Sequence, residues 1–230
     1  VNLSTTSLQG SERKVFSQNG EDGVIEAIFA TIGVTDRFFV EFGCEVAIEC
    51  NSAHLLELGW RGLFMDGMGV SCNPKAVVHQ EFVTAENVSA LFRKYDVPNV
   101  FDLLSIDIDG NDYWVWKALA VRPRVLVIEY NAHVPPQESK VITYDPQFHW
   151  TGSDYFGASL RALKELGDRK GYTLVYCEQT GVNAFFVATE VLPSSFVPQS
   201  IEAIYRPPNF FHSGFGHPAD QQRAMVDPEL

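Results

Sequence analysis

Cysteine is scarce. Cys44, Cys50, Cys72 and Cys177 are the only four in 230 residues, and no two form a CxxC pair. That count excludes a disulfide-stapled scaffold and predicts reduced thiols in a cytoplasmic setting. Long apolar runs are missing too. Stretches such as 125–128 and 184–188 fall far short of the roughly 20 residues that a membrane span needs. No charged segment followed by an apolar one marks a secretory signal, although the sequence starts at Val1. Positive charge is short: 17 Lys and Arg stand against 29 Asp and Glu, a net charge of −12. With no local basic patch, such a field repels phosphate backbones and anionic lipid, so neither nucleic acid nor a membrane is an expected partner.

What is present is core material. The chain is 46% hydrophobic and carries 17 Phe, 8 Tyr and 4 Trp, enough for one globular domain over 1–230. Apolar periodicity and glycine stops predict a helix from about Gly20 to Gly33, with acidic Glu21 and Asp22 in its first turn. Short apolar runs predict strands over 38–42, 62–65, 81–84, 102–108 and 124–129. Helices are expected between them over 53–58, 86–95 and 112–119, with another over 158–170. Two last strands, 173–177 and 184–188, flank the turn-rich 179–183 and read as a hairpin. The alternation predicts an α/β fold: a Rossmann-like, doubly wound, mostly parallel sheet with a C-terminal antiparallel hairpin, in three α/β/α layers. The core spans about 15–190. The 191–230 tail, rich in proline and aromatic residues, is expected to wrap the domain or to contact a second copy in a homo-oligomer.

Ligands of such sheets bind beyond the carboxyl ends of the strands. Those ends are acidic here: Glu41 with Gly43, Asp66, Asp107 with Asp109, and Glu129 with Asn131. Asp66 lies 23 residues beyond Gly43 at the end of the next strand, where a carboxylate can accept hydrogen bonds from two ribose hydroxyls. The alternative for Asp66-Gly67 is a plain turn. Among the histidines, His133, His149, His212 and His217 are candidate general bases. His133 leads because it follows the fifth strand directly, and an unperturbed imidazole titrates near pH ~6.5. The long insert 132–157 is expected to be a substrate-facing lid. Tyr113, Trp114 and Trp116 read as packing residues.

Six stretches carry a resemblance: SQNGEDG at 17–23, FVEFG at 39–43, GWRGLFMDG at 59–67, DLLSIDIDGNDYWVW at 102–116, VLVIEYN at 125–131 and GVNAFFV at 181–187. In order and spacing they resemble FkbM-type methyltransferase-domain proteins. The resemblance implies a class I fold and S-adenosylmethionine (SAM) as cofactor. It implies Glu41, Gly43, Glu45, Asn51, Asp66, Gly67 and Ala85 as cofactor-binding residues, with Asn19, Glu21 and Asp22 on a covering helix. One departure stands out in 43–51. Ala47 replaces the family's second glycine and Val46 the acid before it, so Glu45 or Glu49 is left to meet the methionine ammonium. A Cβ at position 47 is expected to narrow the approach of backbone to ligand.

Similarity to catechol O-methyltransferase-like enzymes adds a metal reading. Asp107, Glu129 and Asn131 occupy the positions that hold a divalent cation there, and hard oxygen ligands suit Mg²⁺ or a similar ion. Asp107 and His133 are then the expected catalytic groups, and the expected activity is methyl transfer to a hydroxyl or similar nucleophile of a small molecule. Two other readings stay open: the fold with SAM binding lost, kept for small-molecule binding or a structural role, and a metal-dependent enzyme of another reaction class.

Overall fold

The computed structural model describes residues 8–228. Strand β1 (Phe38–Phe42) lies centrally between two parallel neighbours and is buried along its whole length, Glu41 included. Around it lie β2 (Arg61–Asp66), β3 (Val78–Gln80), β4 (Val100–Ile106), β5 (Arg122–Glu129), β6 (Tyr172–Cys177) and β7 (Asn183–Ala188). Their order across the sheet is β3-β2-β1-β4-β5-β7-β6. The first five strands run parallel, and β7 lies antiparallel between β5 and β6. The expected α/β fold with its C-terminal hairpin is therefore the observed one.

Helices α1 (Glu21–Ile32), α2 (Ala53–Glu57), α3 (Val88–Lys94), α4 (Asp112–Ala118) and α5 (Leu160–Lys170) connect the strands, and α6 (Ile201–Ile204) is a single turn in the tail. Alternation along the strands feeds two cores. Val40, Phe42, Ile106, Leu126 and Ile128 pack on one face, while Phe39, Leu103, Val125 and Val127 pack on the other. The sheet is thus the middle of three layers. α1 ends as its glycine predicts, with Gly33 at φ 72° and its N–H on the Phe29 carbonyl at 2.9 Å. No helix among the described residues is long and apolar enough to cross a membrane.

The third strand departs from expectation. It occupies Val78–Gln80 and not 81–84, because the ladder pairs Phe64 with Val78 and Asp66 with Gln80. Residues 81–84 instead turn the chain toward α3, where the Thr84 N–H donates to the Asn87 side chain at 2.8 Å.

The tail wraps the domain. The Tyr205 hydroxyl donates to the Ala132 carbonyl at 2.6 Å, Asn209 N to Thr180 O at 2.9 Å, and Val226 forms an antiparallel bridge with Val141.

Candidate active site

A cavity of about 760 Å³ opens at the carboxyl ends of β1, β2, β4 and β5, the size of a small-molecule or cofactor site. Glu41, Glu45, Asp66, Asp107, Asp109 and Glu129 face it, and no Lys or Arg among the described residues lines it.

The first turn is set by crowding. A Cβ on Gly43 would sit 1.5 Å from the Asp107 carbonyl oxygen, and Gly43 has φ 69°, so only glycine lets the end of β1 pass the end of β4. Glu41 is fully buried beneath the cavity and accepts the N–H groups of Asn51 at 2.7 Å and Ser52 at 2.8 Å. Burial pushes its pKa up to about 7 against those hydrogen bonds. Its two oxygens thus fasten the 44–51 loop, while the Asn51 side chain ties that loop to Ser105 at 3.1 Å. The loop makes two left-handed turns without glycine, at Glu45 (φ 47°) and Ala47 (φ 57°).

Ala47 corrects an expectation. It is fully buried, packs in the core with Cys44, Cys50 and Ala53, and does not line the cavity. Its Cβ therefore points into the core and does not border the cavity. Ala47→Gly is expected to leave stability within about 1 kcal/mol of the parent, because relief of left-handed strain is offset by a floppier unfolded chain. Ligand affinity should not change. Denaturant unfolding and calorimetry check both, and a ten-fold gain in SAM affinity would place the methyl in the ligand's path after all.

Asp66 ends β2 with its carboxylate held in place. Oδ2 accepts the Glu45 N–H at 3.0 Å and Oδ1 the Met68 N–H at 2.8 Å. Gly67 lines the cavity beside it. Ala85 does not: its N–H points to the Tyr144 hydroxyl at 3.3 Å, outside the cavity. Of the helix-entry residues, Asn19 reaches the cavity. Asp22 is off the lining, its Oδ2 taken by the N–H groups of Val15, Phe16 and Ser17, and Glu21 lies behind the wall.

Asp107, Asp109 and Glu129 converge, each offering an oxygen within 4.8 Å of the others. The carboxyl of Asp107 is pushed well above the usual range by burial and then by Asp109, and that of Glu129 by burial and then by Asp107. Asp109 is raised by the protein around it and by Glu45 and Asp66. Asp112 shapes this turn by accepting the N–H groups of Ile108 and Gly110, both at 2.9 Å. Burial moves its own pKa to about 6. Glu129 Oε2 is buried with no hydrogen-bond partner.

Two expected site residues are engaged elsewhere. Asn131 is fully buried, and its amide donates to the carbonyls of Asp154 at 2.7 Å and Phe156 at 2.9 Å while its Oδ1 accepts the His133 N–H at 3.1 Å, so it anchors the lid and does not line the main cavity. His133 Nε2 accepts the His217 N–H at 2.7 Å, which leaves Nδ1 to donate to Asn131 Oδ1 at 3.0 Å. Both ring nitrogens are used, and the ring faces a second cavity of about 320 Å³ instead of the main one. Burial and His217 lower its pKa.

The lid supplies Phe148, His149 and Trp150 to the main cavity, while Trp114 packs with its Nε1 on the Ile142 carbonyl at 3.0 Å. Tyr113 and Trp116 are core residues. Phe210 and His217 come from the tail; His217 was one of the four candidate general bases, whereas Phe210 was not among the sequence-derived site residues. The cue for them was a run of aromatic residues and histidines among prolines over 207–218. The His217 ring lies 4.7 Å from both the Trp150 ring, edge-on to it, and the Phe210 ring, tilted against it, and burial lowers its pKa.

The sheet order and this cavity define an α/β protein with an acidic cavity at the strand ends. No protein-family model matches the chain, and no curated protein matches it. Among solved structures, a SAM-dependent methyltransferase from Aquifex aeolicus aligns over 71% of this chain and 89% of its own, with 9% identity and a TM-score of 0.32. A likeness of that degree carries no argument about activity.

Proposed function

We propose that the chain is a SAM-dependent methyltransferase of the FkbM type, acting on a hydroxyl or similar nucleophile of a small molecule with help from a divalent cation. The observation that carries the reading is the joint presence, around one cavity, of Asp66 and the Asp107, Asp109 and Glu129 cluster with no Lys or Arg to neutralise it. Each Asp66 oxygen already takes one backbone N–H, and a carboxylate oxygen can accept two hydrogen bonds. One acceptor site per oxygen is therefore left, which suits the paired hydroxyls of a ribose. For the cation, the buried and unpartnered Glu129 Oε2 fits, since a hard oxygen with no donor near it asks for positive charge.

Bound SAM would supply an electrophilic methyl group, and a bound cation would acidify the substrate hydroxyl. The chain's own residues then divide the work. Asp66 and Gly67 hold the cofactor end of the cavity, and Glu41 keeps the 44–51 loop in register beneath it. Asp107, Asp109 and Glu129 hold the cation. His217 takes the role first expected of His133: its lowered pKa keeps the imidazole neutral near pH ~7, ready to receive the hydroxyl proton. Phe148, Trp150 and Phe210 exclude water from the transfer.

The test is isothermal titration of chelator-washed protein with SAM and with its demethylated product, with and without Mg²⁺. Micromolar binding supports the reading. No binding under any condition moves the assignment to a fold that has lost the cofactor or to a metal-dependent enzyme of another class. Asp66→Ala removes two charge-assisted hydrogen bonds to the ribose and is expected to weaken SAM by about thirty-fold or more. Unchanged affinity in a variant that melts like the parent would remove Asp66 from the cofactor site.

A further inference from the structure

We infer that Asn183 is a ligand of the cation site, its amide oxygen joining Asp107, Asp109 and Glu129 to make a four-residue, all-oxygen donor set for a hard divalent ion. The inference rests on the cation half of the function proposed above and adds a residue from a different part of the chain. Asn183 is the first residue of β7 and pairs directly with Glu129, the last residue of β5, across the antiparallel ladder. Residues opposite one another in such a ladder project from the same face, with Cβ atoms roughly 4.5–5.5 Å apart. Both side chains line the main cavity.

The amide orientation is fixed from behind. Asn183 Nδ2 donates to Glu21 Oε1 at 2.9 Å, and the Glu21 carboxylate can only accept there, so Oδ1 must turn the other way. That oxygen is buried with no hydrogen-bond donor, in a side chain only 3% exposed. Glu129 Oε2, across the ladder, is in the same condition. Two buried, unpartnered oxygens on paired residues that line one cavity cost free energy unless a donor or a positive charge meets them. No Lys or Arg among the described residues lines the wall to supply it. Asn111 Oδ1 is another unpartnered oxygen on the lining, but no ladder register ties it to Glu129. Carboxylate and amide oxygens in this number suit Mg²⁺, Mn²⁺ or Ca²⁺ and not a thiolate-seeking metal.

The probe is Mn²⁺ alone, titrated calorimetrically into chelator-washed full-length protein without SAM. The parent is expected to bind one ion, and Asn183→Leu to bind it at least about ten-fold more weakly. Asn183→Asp separates ligation from support. It keeps an oxygen for the ion but cannot donate to Glu21, so it should hold Mn²⁺ at least as tightly as the parent. If Asn183 only braces Glu21, Asp must do as much harm as Leu, because it sets a second carboxylate against the first. Equal weakening by both variants, or no weakening by Leu, overturns the inference. Should Asn183→Leu melt below the assay temperature, Asn183→Val takes its place, with thermal melts reported for all. A parent that binds no Mn²⁺ overturns this inference together with the cation half of the proposed function, while the SAM titration judges the cofactor half separately.

Discussion

Asp102→Ala is expected to destabilise the fold by about 3–5 kcal/mol, the cost of leaving a buried charge without its partner. Asp102 lies on β4 with its side chain fully buried, and Arg124 on the adjacent β5 reaches it at 2.7 Å. Its carboxylate also accepts the N–H groups of Thr35, Asp36 and Arg37 and the Thr35 hydroxyl. Burial alone would push its pKa up, but the Arg124 and Thr35 hydrogen bonds outweigh burial and hold it below the usual range. Arg124 extends the tie to the carbonyls of Ile32 at 2.9 Å and Gly33 at 2.8 Å, where α1 ends. One carboxylate therefore staples the α1–β1 connection to the middle of the sheet, at the edge opposite the cavity. Urea unfolding checks the loss. The double variant Asp102→Ala with Arg124→Met should recover part of it, because it removes the stranded charge as well. A single Asp102→Ala variant within about 1 kcal/mol of the parent would show that the backbone carries this connection unaided.

The staple was invisible in the sequence, whereas the strand it steadies was plain. Phe38–Phe42 and the helix ending at Gly33 were legible because an apolar run and a glycine stop are local signals. The strand at 81–84 was misplaced because three residues of ladder carry little periodicity, and pairing with β2 decided the register. In the site, Glu41, Asp66, Asp107 and Glu129 followed from topology alone, since Asp66 and Glu129 end their strands, Asp107 lies just past its strand and Glu41 is the next-to-last residue of its own. Asn131 and His133 satisfied the same rule and still do not line the main cavity. Their roles depend on the carbonyls of Asp154 and Phe156 and on the His217 N–H, partners that local sequence does not specify. For the same reason Asn183 could not be found and His217 could not be ranked above His133: one needs the ladder that sets β7 beside β5, the other a tail that folds back over the lid. The hairpin itself was readable from its turn, but not which of its strands would meet the parallel sheet.

Chelator-washed protein is expected to become more stable on acidification from about pH 8 to about pH 6, against the common trend for acidic proteins. Burial raises the folded-state pKa of Glu41 and of Glu178 to about 7 and that of Asp112 to about 6, and raises Asp107 and Glu129 well above their ordinary values. A carboxyl whose folded pKa is raised contributes stability that is fully present below its unfolded value, about 4, and is lost as pH rises through the folded value. Each unit of difference corresponds to about 1.4 kcal/mol, and about 1 kcal/mol moves the melting temperature of a domain this size by roughly 2–4 °C. The melting temperature should therefore climb by several degrees between about pH 8 and pH 6. His133 and His217, whose folded pKa values are lowered, oppose part of this gain below about pH 6.5, and acids held low, such as Asp102, turn the curve down below about pH 4 as they begin to protonate. Mn²⁺ should reverse the profile. An ion bound by Asp107, Asp109 and Glu129 stabilises the ionised cluster by mass action, about 2.7 kcal/mol at a hundred times its Kd, and protons compete for the same oxygens as pH falls. The melting temperature with saturating Mn²⁺ should thus rise most at about pH 8 and least at about pH 5.5, a trend that Asp107→Asn should flatten. Differential scanning calorimetry across this range decides it: metal-free protein that loses stability steadily from pH 8 downward would mean that the cluster is ionised and offset by the protein itself, with nothing left for a cation to do.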